Sequence, residues 1–208
     1  GCIPSKAFLH VARVIREARE ADEWGVAFAA PRIDLVKLRE WKESVVTKLT
    51  SGLAALAKAR GVRQIQGRAT FVDAHTLTVD GARPGRHKVE FDHAIIATGS
   101  RPALPDALVL DSERVMTSTG ALELREVPGS LLIVGGGYIG LELGTVYAAL
   151  GSRVTVVEMT EQLLPGVDAD LVRPVAAASG RAFAAVHLAT GVERLHETTD
   201  GVAVTLKP

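Results

Sequence analysis

Residues 130–158 read SLLIVGGGYIGLELGTVYAALGSRVTVVE. An apolar run, Leu131 to Val134, leads into Gly135, Gly136 and Gly137, and Gly140 completes a GxGxxG spacing. A helix-forming stretch with Tyr138, Ile139, Glu142 and Gly144 follows, and a second apolar strand ends at Glu158. A lone GxGxxG says little, but the strand-turn-helix-strand order around this one is the context that gives it meaning. Gly135 allows the tight turn, Gly137 lets the backbone reach a pyrophosphate, and Gly140 permits close helix–strand packing. The helix N-terminus adds free N–H groups and the positive end of its dipole. Glu158 stands 18 residues beyond Gly140, where an acid accepts hydrogen bonds from an adenosine ribose and repels a 2′-phosphate, which favours NAD over NADP. The competing reading is a glycine-rich turn with an unrelated acid downstream.

Working outward, a third strand is expected near Ala184 to Leu188, and VERLHETTDGVAVTL reads as a hairpin around Asp200-Gly201. Upstream, RPALPDALVLDSERV is a Pro-rich, charged connector, and a domain boundary near Val127 to Gly129 divides the chain into 1–127 and 128–208. QIQGRATFV, residues 75–80 and HKVEF at 87–91 alternate with a period of two and predict an antiparallel meander joined by Gly, Pro and Asp turns. HAIIATGS at 93–100 predicts a strand buried on both faces that opens at Thr98, Gly99 and Ser100 into a loop able to approach a phosphate or a ring; an ordinary strand-ending turn fits the same spacing. Helical spacing marks residues 4–21, with Pro4 suited to a first turn, and residues 34–60, with Asp34 as N-cap and Gly61 as stop. The stripe Leu35, Leu38, Val45, Leu49, Leu53, Leu56 drifts from a strict heptad, so packing on a sheet is expected rather than a coiled coil.

The 208 residues carry 24 basic and 24 acidic side chains and are 47% hydrophobic. The chain can therefore bury a core and lacks the footprint of a nucleic-acid or polybasic membrane binder. Its apolar runs are far shorter than the roughly 20 residues of a membrane span. No signal peptide is read, so the expected location is the cytoplasm. With one cysteine and no Cys/His cluster, no internal disulfide and no metal site are expected. That cysteine, Cys2, precedes a helix start and stands near Lys6, both of which favour thiolate over thiol; an unreactive terminal cysteine is the alternative.

GCIPSKAFLH, IIATGSRP, TSTGALEL and VGGGYIGLELG with VTVVE together resemble, in order and spacing, the flavin-dependent pyridine nucleotide-disulfide oxidoreductases, and within them the branch that oxidises dihydrolipoamide. The resemblance implies an α/β reductase fold of which this chain is the truncated middle part: a partial FAD-binding domain with the meander, then a partial Rossmann-like NAD-binding domain. It implies that Cys2 is the flavin-side half of a redox pair whose other cysteine lies five positions earlier. Lys6 is placed near the flavin with Glu142 as its ion-pair partner, and Ala69, Thr98, Gly99 and Ser100 are implied FAD contacts. Gly135, Gly136, Gly137, Tyr138, Ile139, Gly140, Glu142, Glu158 and Val192 are implied NAD contacts. Tyr138 is a flap candidate over the flavin, or equally a packing residue, and Thr117 stands where many members have Asp. The implied cofactors are FAD and NAD, the implied partners a second copy of the full enzyme and the lipoyl domains of 2-oxo acid dehydrogenase complexes. Without the family's first cysteine and carboxy-terminal His-Glu pair, the stretch is expected to be inactive alone. Mercuric or glutathione reductases, which prefer NADP, and a non-catalytic NAD-binding module remain alternatives.

Overall fold

The computed structural model describes residues 1–81 and 86–208, with Arg86 described through its backbone only. In chain order the elements are α1 (Cys2–Glu20), α2 (Leu35–Ala59), β1 (Gly67–Phe71), β2 (Thr76–Gly81), β3 (Arg86–Glu90), α3 (Ser118–Glu123), β4 (Ser130–Val134), α4 (Tyr138–Leu150), β5 (Arg153–Val157), α5 (Ala169–Ala182), β6 (Ala185–His187), β7 (Gly191–Glu197) and β8 (Val202–Lys207). They form two compact units, one of residues 1–47 with 102–208 and one of residues 48–101. The division at 127/128 follows motif content and runs through the first of these packing units.

In the first unit, β4, β5 and β6 form a parallel sheet in that order. Parallel neighbours need a crossover, and α4 and α5 supply the two. The β-branched residues drive the pairing: Val154, Val156 and Val157 of β5 are each at most 1% exposed. Against this sheet and α4 pack Phe8 and Ala12 of α1, Ala121 and Leu124 around α3, Val172 of α5, and Phe183. The Tyr147 hydroxyl, buried in this core, donates to the Ala121 carbonyl at 2.9 Å. Burial pushes its phenol up to about 12, with the Glu126 charge adding to the shift. The hairpin read around Asp200-Gly201 is present as β7–β8, with a register shift between Val192 and Arg194.

Helix α5 is an element that the sequence did not predict. Asp168 precedes it, and Val172, Val175 and Ala176 face the core. Pro174 lies inside the helix, where it removes one backbone donor, and Gly180 lowers propensity further, so tertiary burial rather than local preference makes this segment helical.

The second unit contains the antiparallel sheet β1–β2–β3, as the meander predicts. The Gly/Pro turn at 82–85 lies outside the described residues. Two expectations are corrected here. Residues 92–100 form no strand, and Ile95 is 95% exposed: a strand buried on both faces needs a sheet to join, and among the described residues nothing pairs with it. Most of the α2 stripe also packs on no sheet among the described residues. Asp34 caps the helix as predicted, its Oδ1 accepting the Lys37 N–H at 3.1 Å. Leu35 and Leu38 pack on the first unit's core, but Leu49, Leu53 and Leu56 are exposed. Among the described residues no helix is long and apolar enough to cross a membrane.

Candidate functional site

The glycine loop between β4 and α4 is shaped by backbone contacts at both ends. Gly135, at φ +107, takes a conformation that side chains rarely adopt, and its N–H donates to the Val157 carbonyl at 2.8 Å, extending the β4–β5 ladder. A Cβ at Gly140 would strike the Gly135 carbonyl oxygen and stand 3.0 Å from Ile133 Cγ2, so only glycine lets α4 start this close to the strand. Cβ atoms at Gly135 and Gly137 would meet nothing within 4 Å. The open side of the loop therefore faces space at the N-terminus of α4, whose first N–H groups have no intrahelical partners. Tyr138 and Ile139, the first residues of α4, are exposed. The cradle fits a dinucleotide pyrophosphate by open space, unpaired donors and dipole sign together.

Glu158 sits at the end of β5, as predicted, but its carboxylate is already engaged. Oε2 accepts the Gly136 N–H at 2.7 Å and Oε1 the Thr160 N–H at 2.8 Å, with the residue 7% exposed. Burial pushes its carboxyl up, but the Thr160 and Gly136 N–H groups outweigh that and hold it below the usual range. Each oxygen keeps a second lone pair for a ligand. The 189–192 segment runs alongside: Thr190 N–H donates to the Glu158 carbonyl at 2.8 Å, and Val192 follows at the start of β7.

A second cluster joins α1 to α4. Cys2 opens α1 and is exposed. Four residues on, one helical turn away, Lys6 donates to Glu142 Oε1 at 2.5 Å, while the buried Ser5 hydroxyl donates to Oε2 at 2.6 Å. The Glu142 hydrogen bond, against a smaller cost of burial, holds the Lys6 ammonium above its ordinary range, and Cys2 and Tyr138 add in the same direction. Burial pushes the Glu142 carboxyl up, but the bonds from Lys6 and Ser5 hold it below the carboxylate range. The result is a fixed cation beside a thiol, on the helix that packs against the one following the glycine loop. Ser5 lay inside the quoted CIPSK stretch without an assigned role; its signal is only its place one residue before Lys6.

In the second unit, Ala69 pairs with Val79 in β1–β2, and Thr98, Gly99 and Ser100 are exposed. Gly99 has φ +77, and a Cβ there would meet nothing within 4 Å, leaving the room that a ligand contact at this loop requires. Thr117 is the N-cap residue of α3 without a side-chain cap bond.

The family described as pyridine nucleotide-disulphide oxidoreductase matches residues 1–208. Dihydrolipoyl dehydrogenase from Haemophilus influenzae is 49% identical over 207 residues, which is 100% of this chain and 43% of that protein. The Vibrio cholerae protein of the same name is 46% identical, with 100% and 43% covered. Dihydrolipoyl dehydrogenase 2 from Haloarcula marismortui is 42% identical, covering 98% and 43%. Among solved structures, LpdA from Mycobacterium tuberculosis superposes with a TM-score of 0.82 at 26% identity, covering 99% of this chain and 45% of that one. The HOCl-induced flavoprotein disulfide reductase RclA from Escherichia coli gives 0.73 at 30% identity, covering 99% and 43%. The chain thus spans less than half the length of the relatives it matches.

Proposed function

Because this chain belongs to the pyridine nucleotide-disulphide oxidoreductase family, we propose that it forms part of an FAD- and NAD-dependent dihydrolipoyl dehydrogenase, which converts dihydrolipoamide and NAD⁺ to lipoamide and NADH. The observation that carries this reading is the Ser5/Lys6–Glu142 cluster, which fastens the thiol-bearing helix α1 to α4, the helix that opens at the glycine loop. That arrangement is what a protein coupling thiol chemistry to a dinucleotide requires. The names of the relatives at 42–49% identity support the substrate.

Bound FAD and NAD would supply the electron-pair and hydride transfers. The chain's own residues bind and tune. Cys2, exposed at the start of α1 and close to Lys6, holds the reactive sulfur. Lys6, kept protonated by Glu142, would stabilise negative charge on a bound flavin. Ala69, Thr98, Gly99 and Ser100 would hold FAD; Gly135, Gly136, Gly137, Tyr138, Ile139, Gly140, Glu142 and Val192 would line the NAD side. Glu158, ionised and fixed, accepts from the ribose and disfavours a 2′-phosphate. In this reading residues 1–127 belong to the FAD-binding domain and 128–208 to the NAD-binding domain. The protein acts in the cytoplasm as a homodimer on lipoyl domains of 2-oxo acid dehydrogenase complexes.

The test is the visible spectrum and steady-state kinetics of the protein purified in the form its host makes. Flavin bands and dihydrolipoamide-dependent reduction of NAD⁺ are expected. A flavin-free protein, or faster turnover with NADPH and glutathione or Hg²⁺, would overturn the reading.

A further inference from the structure

In the GxGxxG pattern the second position is free, yet this chain has Gly136 there. The fold gives a reason. The Gly136 peptide is held from three directions: its N–H donates to Glu158 Oε2 at 2.7 Å, its carbonyl accepts the Leu164 N–H at 2.9 Å, and a Cβ on it would lie 2.5 Å from Leu163 Cδ2, its nearest neighbour, and 3.1 Å from Glu158 Cβ. Leu163 is 3% exposed, so it has little room to give way. The segment that carries it is stapled to itself. Thr160 Oγ1 donates to the Gln162 carbonyl at 2.8 Å, Gln162 Nε2 to the Val167 carbonyl at 3.1 Å, and the Val167 N–H to the Leu164 carbonyl at 3.0 Å. Leu164 itself stands at φ +52, uncommon for leucine, which turns its N–H toward the glycine loop.

From this packing we infer that Leu163 is a positioning residue for the dinucleotide site, pressing residues 159–167 onto the glycine loop and imposing glycine at position 136. The inference deepens the proposed NAD-binding role of that loop and rests on it. Gly136 and Gly137 then serve opposite sides. At Gly137 a side chain would enter open space, where the pyrophosphate approaches; at Gly136 it would enter the brace. With the Gly136 N–H committed to Glu158, the donors left for a phosphate are those of Gly137 and the first residues of α4. A loop displaced at Gly136 would misdirect those donors.

The experiment measures NADH affinity by fluorescence titration, together with flavin content and the urea midpoint, for the purified protein and for Gly136→Ala, Leu163→Ala, Leu163→Val and the double variants Gly136→Ala/Leu163→Ala and Gly136→Ala/Leu163→Val. Gly136→Ala is expected to weaken NADH roughly tenfold, in the range of couplings between contacting groups. Leu163→Ala should restore part of that loss in the Gly136→Ala background, the tighter of the two contacts being removed while that to Glu158 stays, although it lowers the urea midpoint in both. Regained affinity alongside lost stability is what a merely structural leucine cannot produce. Gly136→Ala/Leu163→Val, with a smaller truncation, should give a lesser rescue and serves if the Leu163→Ala variants do not fold. Unchanged affinity in Gly136→Ala, or losses that simply multiply in the double variants, would overturn the inference. A parent protein that binds no NADH at all would instead overturn the reading of the loop as a dinucleotide site.

Discussion

Replacing Glu158 with glutamine separates a strut from a ligand contact. In the folded chain the carboxylate accepts two backbone N–H groups, from Gly136 at 2.7 Å and from Thr160 at 2.8 Å. Glutamine keeps one acceptor oxygen and turns an NH₂ donor toward the other N–H, so one bond is lost and the survivor is no longer charge-assisted. Hydrogen bonds to charged groups contribute about 1.5–3 kcal/mol, and a buried donor left unpaired costs about 1–3 kcal/mol. The expected loss of stability is therefore about 2–4 kcal/mol. With a urea slope of about 1–3 kcal/mol/M, the midpoint should fall by roughly 1 M or more, without any nucleotide present. The pH dependence follows from the same bonds. The Glu158 carboxyl is held below its ordinary value in the fold, so its contribution is complete above the unfolded value of about 4.3 and is lost as pH falls through the folded value. The gap between parent and variant should thus be constant near neutral pH and close in acid. An unchanged midpoint at neutral pH, with only NADH affinity reduced, would refute the reasoning and leave Glu158 as a ribose contact alone.

Two further outcomes are expected. Glu142→Gln should lower the Lys6 pKa, because the carboxylate hydrogen bond is the leading cause of its rise; ¹⁵N NMR of the lysine side chain reads this directly, and an unmoved titration would refute the coupling. In the parent protein the contribution of this raised group is present below the unfolded value of about 10.4 and is lost as pH rises through the folded one. Tyr147→Phe should cost about 1–3 kcal/mol in urea unfolding, since it leaves the buried Ala121 carbonyl without its donor. In the parent, absorbance titration should show Tyr147 ionising at about 12; ionisation of Tyr147 near the ordinary tyrosine value would contradict its burial.

The glycine loop was legible because its chemistry is local. Gly135 needs a positive φ and Gly140 needs to be small for contacts made within seven residues, and both needs are written into spacing. The meander and the Asp34 cap were legible for the same reason, since period-two alternation and an N-cap act on neighbouring residues. Helix α5 was missed because Pro174 and Gly180 contradict it locally while Val172 and Val175 are satisfied only by distant partners. Residues 93–100 were misread in the opposite sense: Ile95 and Ile96 have strand chemistry, but a strand exists only where another pairs with it.

By itself the sequence determined which segments carry thiol, cation, acid and glycine, and the order in which strand, loop and helix follow one another around them, because those depend on φ/ψ preference and short-range spacing. Tertiary structure alone decided what each group faces. Ser5 and Lys6 reach Glu142 across more than 130 residues, Glu158 spends its first two hydrogen bonds on backbone N–H groups, and Leu163 closes the space behind Gly136. The physical reason is that hydrogen bonds and close packing act over a few ångströms in space, whatever the distance along the chain.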